Sequence, residues 1–205
     1  FLYSHAARTV PDAMTLTIDI LMGIGLATAA GIRPFLPAFV AAVAARNDLL
    51  VDFDGTSFAF LEATWWMVLM IVLAIVALLL RGEIERRPPL VAAFTGISMG
   101  IGALLFAACL ADDGYAWWPG ILGGLAAAWL SNTATRNLFA RAGARLDDEA
   151  RAHLPVYAEG VALVLAVLAI AVRPVAFVAV AFFAWLLAGG RRKEGQKYAG
   201  LRSLR

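Results

Sequence analysis

Six side chains stand where a charge or an amide lies inside or beside an apolar stretch: Asp19, Arg33, Glu62, Asn132, Arg136 and Glu159. Arg33 is the sharpest. It follows the small-residue run Gly23 to Gly31 and is followed by Pro34 and Pro37. Proline breaks a helix, and an arginine in an apolar segment is costly without a partner. In one reading Arg33 sits at the break, near the positive end of the following half-helix, and holds an anion or a carboxylate. In the other it lies at the outer interface and snorkels to pair with a lipid phosphate or Glu62. Glu62 and Glu159 each stand about one turn inside an apolar span. There, a desolvated carboxyl group could take up and release protons, and a wet one would only decorate a helix start. Asp19 carries the same pair of readings. Asn132 belongs to the polar run Ser131-Asn132-Thr133-Ala134-Thr135-Arg136, which could line a polar path or bond to neighbouring helices.

The chain lacks the motifs of an enzyme. His5 and His153 lie outside the apolar segments, and Cys109 is the single cysteine. No Gly-x-Ser-x-Gly, phosphate loop or Cys/His metal spacing occurs. We therefore expect no catalytic residues, no metal and no cofactor. A net charge of +2 is no footprint for nucleic acid.

The elements that must position these groups follow from composition. Hydrophobic residues make up 62% of the chain and mean hydropathy is +0.79. Soluble domains run about 45–50% apolar. The expected fold is therefore all-α: a polytopic membrane helix bundle of about six transmembrane helices, the first of them broken. The first apolar segment, 13–45, is too long for one span of roughly 20 residues, so a kinked or re-entrant piece should follow Ile32. Further spans are read over 57–80, 90–111, from Trp117-Trp118-Pro119 to the polar run, from Pro155, and over 175–188. The pairs Trp65-Trp66 and Trp117-Trp118 mark interfaces. Sorting the connections alternately puts fourteen Lys and Arg on one side and two on the other. The positive-inside rule then places both termini in the cytoplasm.

The whole of 1–205 is read as a single membrane domain with halves 13–111 and 116–190 and a basic tail, 191–205. Each half has a Gly/Ala-rich span ending near an arginine (Arg33, Arg136), then a span with a glutamate (Glu62, Glu159). Three spans per half suggests an inverted repeat of transporter type. Gly96 and Gly100, and Gly120, Gly124 and Ala128, form small-residue stripes suited to close helix packing. The bilayer is one expected partner. A second copy or a larger complex on such faces is another.

The run Gly31-Ile32-Arg33-Pro34-Phe35-Leu36-Pro37, with Ala134-Thr135-Arg136 and Tyr157-Ala158-Glu159, resembles the bacterial "domain of unknown function 4126" membrane proteins over roughly residues 16–190. The charged 137–153 segment departs from that pattern. The resemblance implies a multi-pass protein of a bacterial inner membrane and supplies no activity. The residues themselves suggest a small transporter or channel-like protein for a small solute or an anionic, lipid-linked group. Arg33 and Arg136 would hold charge, and Glu62 and Glu159 would couple to protons. The alternative is a non-catalytic subunit of a larger membrane complex.

Overall fold

The computed structural model describes residues 13–49, 51–143, 148–171 and 181–185. Among them the chain is all-helical: α1 (Ala13–Ile32), α2 (Phe35–Arg46), a short 3-10 turn (Ala59–Glu62), α3 (Thr64–Leu79), α4 (Arg81–Arg86), α5 (Pro88–Asp112), α6 (Trp118–Gly143) and α7 (Asp148–Ala171). Residues 181–185 are also helical.

α1 stops where the sequence says it should. Proline disfavours helical backbone in the residue before it, and the last α1 turn closes with Arg33 N donating to Ala29 O at 3.1 Å. α2 begins at once, with Pro34 as its cap and Pro37 in its first turn, where a missing N–H is tolerated. The break then reverses the chain. Thr15, near the start of α1, shares a 3.0 Å hydrogen bond with Tyr115, just past α5. Beyond the end of α2, Asp52 N reaches Asp112 Oδ2 at 3.2 Å, at the same end of α5. α1 and α2 are therefore two legs of a hairpin, and Arg33 lies at its bend.

This hairpin gives the bundle two distinct ends. One carries Trp65 and Trp66 at the start of α3, Trp117 and Trp118 at the start of α6, and Asp112. The other carries Arg33, α4 with Arg81 and Arg86, Arg87, Arg136 and Arg141. Among the arginines of the described residues only Arg46, which donates to Thr64 Oγ1 at 2.8 Å, belongs to the tryptophan end. The start of α1 and the basic α4 thus lie at opposite ends. An alternation that treats 13–45 as one crossing and so sets them on the same side does not hold.

Three helices pack by backbone approach. A Cβ at Gly120 would stand 2.7 Å from Ala107 Cα, and one at Gly124 2.6 Å from Ala103 Cα. A Cβ at Gly102 would meet that of Ala128 at 2.7 Å. The Gly120–Gly124–Ala128 stripe is thus consumed by α5 and offers no face to a partner. Gly31 abuts Ala128 and Ser131 of α6 in the same way. Gly102 faces both the Ala27 carbonyl and Gly124 and Ala128, and Gly23 and Gly123 both abut Phe106, so α1 and α6 run side by side in the same direction. The inverted repeat pairs these two helices and needs them antiparallel, so the arrangement gives it no support.

Other boundaries differ from expectation. Glu62 ends the 3-10 turn ahead of α3 and is not inside a span. α6 does not stop in the polar run but continues to Gly143. That continuity is possible because Ser131 Oγ donates to Ala128 O at 3.1 Å and Asn132 Nδ2 to Gly31 O at 3.0 Å, leaving neither group to disturb the helix. The 175–188 span is described only over 181–185, where Phe183 packs against Ile32, Ala134, Ala158 and Ala162. The 1–12 and 191–205 segments lie outside the described residues.

Two stretches, Thr15–Ile32 and Pro88–Asp112, are long and apolar enough to cross a membrane. α2, α3 and Val156–Ala171 are apolar but shorter. The surface agrees with an apolar surrounding. α3 buries only Met70 and exposes Trp65, Val68, Ile75 and Leu79. Leu122 and Trp129 on α6 and Val161 and Val164 on α7 are also exposed. Continuous apolar surface of this kind is rare on a soluble monomer. The count of six spans does not follow from these helices.

Candidate functional site

The basic end encloses a cavity of about 140 Å³. Its polar wall is Arg33 from the hairpin bend, Thr95 from α5, and Asn132, Thr135 and Arg136 from α6. Its apolar wall is Ile32, Ile84, Val91, Phe94 and Phe139. Helical spacing explains the α6 contribution: 132, 135, 136 and 139 fall on one face. The α5 contribution, 91, 94 and 95, follows the same rule. Phe94 is fixed by an edge-on contact with Phe35, ring centroids 5.8 Å apart. The bend of α1–α2 is thereby tied to the cavity wall.

Arg33 is three-quarters or more buried, with 20% of its side chain exposed, and so is Glu159, at 21%. Arg33 Nε and Glu159 Oε1 are 3.4 Å apart. The pair is a contact of charges without hydrogen-bond alignment, and Nε has no hydrogen-bond acceptor. Glu159 thus takes the place that the sequence reading gave to Glu62 or a lipid phosphate. The two sides of this pair are 126 positions apart in sequence and meet because α7 packs along α1. Arg136 is exposed, and its Nη1 reaches Thr95 Oγ1 only at 3.5 Å. Thr95 Oγ1 itself donates to Val91 O at 2.9 Å. Asn132 is committed to Gly31 O and so locks the bend onto α6.

Four of the six sequence candidates therefore converge at the basic end: Arg33, Asn132, Arg136 and Glu159. The other two do not. Asp19 is buried, at 4% exposure, but lies fourteen residues back along α1, roughly 21 Å away by helical rise. It is in the second turn of α1, and its burial excludes a role as surface decoration. Glu62 is at the tryptophan end. Its Oε1 accepts from Phe53 N, and Arg46 Nη1 donates to its carbonyl at 3.3 Å. The carboxylates of Asp52, Asp54 and Glu62 have oxygens within 4.8 Å of one another. Thr95 and the aromatic walls were missed by sequence reasoning. A lone threonine in an apolar span carries no pattern that marks it.

Partial burial raises the Glu62 pKa above its ordinary 4.5. The Phe53 N–H opposes that shift, and the charges of Asp54, Asp52 and Asp48 add to it. The native state thus binds this proton more tightly than the unfolded chain. By linkage, stability falls as pH rises from about 4.5 through the raised value. We expect the thermal midpoint in detergent to decline over that window and Glu62→Gln to flatten the decline. A decline of unchanged slope in the variant would assign it to other groups.

The family model described as a domain of unknown function (DUF4126) matches residues 20–193. No curated protein and no solved structure matches the chain.

Proposed function

The chain belongs to the DUF4126 family, which brings no activity with it, and from its own geometry we propose a small multi-pass membrane protein that binds an anionic group at its basic end and moves it across the bilayer. One observation carries the reading: Arg33 and Arg136, from separate helices, line one cavity together with an amide and two hydroxyls. Guanidinium forks of this kind suit carboxylate or phosphate. A small solute or a lipid-linked group would enter there, and the basic end would face the cytoplasm of a bacterial inner membrane by the positive-inside rule. Glu159, in contact with Arg33, is the carboxylate placed to exchange a proton with the site. Glu62 is too distant to share that role.

Reconstitution into liposomes tests the proposal. Arg136→Gln is expected to cut uptake of a panel of radiolabelled organic anions and phosphates at least tenfold. No protein-dependent flux for any of them would count against transport.

A second reading, a non-catalytic subunit of a membrane complex, is supported by Gly96 and Gly100. Both are exposed on α5, and a Cβ at either would meet nothing within 4 Å. Crosslinking in native membranes from a cysteine at position 100 would favour it if one partner were captured at fixed stoichiometry.

A further inference from the structure

We propose that the anionic group taken by the Arg33–Arg136 cavity is a phosphate monoester, and that it competes with the Glu159 carboxylate for Arg33. The inference rests on the anion-binding reading above and narrows it.

The composition of the wall distinguishes phosphate from carboxylate. A carboxylate offers two oxygens, and one guanidinium fork satisfies both. Glu159 already supplies such a group beside Arg33 at 3.4 Å, and Arg136 is left with only a long contact to Thr95. A tetrahedral head with three free oxygens serves two forks at once. Its charge of about −1.5 to −2 at neutral pH also matches two guanidiniums better than one. The donors it needs are present. Arg33 lines the cavity with a fifth of its side chain exposed, and the exposed Arg136 and the Thr135 hydroxyl are on the same wall.

Size and polarity go further. A cavity of about 140 Å³ has room for a phosphate group. The remaining wall is apolar, with Ile84, Val91, Phe94 and Phe139 prominent. Such a surface gains nothing from a sugar or a nucleoside, and it fits the first carbons of an alkyl chain. The shared chemistry is a phosphate monoester, and the apolar wall favours a lipid as its source over free phosphate.

The test uses the full chain in detergent with three probes: inorganic phosphate, a phosphatidic acid, and a fatty acid of matched chain length. Binding is read by native mass spectrometry and by calorimetry. The expected result is selective retention of phosphatidic acid, weakened at least tenfold by Arg136→Gln, a surface variant that should fold normally. Glu159→Gln should hold the probe as tightly or more so, because the competing carboxylate is gone. Binding of inorganic phosphate with the same sensitivity to Arg136→Gln would support the phosphate chemistry and assign its source to free phosphate. If the fatty acid bound as well as phosphatidic acid and with the same sensitivity, phosphate selectivity would be overturned and the broader anion reading would stand. If no probe bound, or if Arg136→Gln changed nothing, both would fall. Weaker binding in Glu159→Gln would overturn the competition.

Discussion

Gly124→Val should disrupt the bundle more than any other single small-residue substitution on α6. Its first new carbon would stand 2.6 Å from Ala103 Cα and 2.5 Å from the Gly102 carbonyl oxygen. Both are backbone, so no side chain can rotate away, and α5 and α6 must separate. Overpacking of a tight interface costs about 1–3 kcal/mol and sometimes more. Here the loss spreads, because α1 packs on the same pair through Gly31, Ala128 and Ser131. We expect a loss of about 3 kcal/mol or more, read as a drop in the thermal midpoint of the detergent-solubilised protein. Gly100→Ala is the control. Nothing lies within 4 Å of its new carbon, and replacing a helical glycine by alanine should stabilise by about 0.5–1 kcal/mol. Equal midpoints for Gly124→Val and the parent chain would show that the helices do not meet as described.

The second large effect is at the hairpin bend. Arg33→Ala leaves the Glu159 carboxylate, 21% exposed, without its counter-charge. Removing one member of a fully buried pair costs about 3–5 kcal/mol. For a pair this close to the surface, about 2 kcal/mol is the reasonable expectation once solvent screening is allowed for. Most of that is the cost of a stranded charge and little is lost attraction. The double variant Arg33→Ala/Glu159→Gln should therefore recover at least half of the loss. A double-mutant cycle on thermal or denaturant stability measures the coupling directly. Additive losses would mean that the two side chains do not act on each other. Anion binding should separate from stability in the same set: the double variant regains the fold and does not regain the ligand.

What could be read from the sequence is what local rules decide. The break after Ile32 follows from Pro34 alone, and the four-residue spacing of Gly120 and Gly124 marked a close-packing face, although the same spacing at Gly96 and Gly100 packs against nothing. The tryptophan pairs marked one end of the bundle. What escaped was set by tertiary contact. Proline announces that α1 must stop, but whether the next segment continues or turns back is decided by Asn132 holding the Gly31 carbonyl and by Phe35 seated against Phe94. The partner of Arg33 was sought in Glu62, the nearer glutamate in sequence. The reversal of α2 carries Glu62 to the opposite end and leaves Glu159 in reach. The polar run looked like a helix terminus because its hydroxyls and amide have no visible use in sequence. Ser131 and Asn132 are satisfied by backbone one turn away and on α1, so α6 passes through the run.

The return leg of the hairpin has a mechanical consequence. With 12 residues, α2 is about 18 Å long, and the hydrocarbon layer of a bilayer is about 30 Å thick. The acidic connection that follows it is tied to Asp112 at the end of α5 and, through Arg46, to Thr64, so irregular backbone and not helix covers the remaining distance to the tryptophan end. In a bilayer such backbone is tolerated only where protein or water satisfies its polar groups, so this corner of the bundle would have to be wet or sheltered by its neighbours.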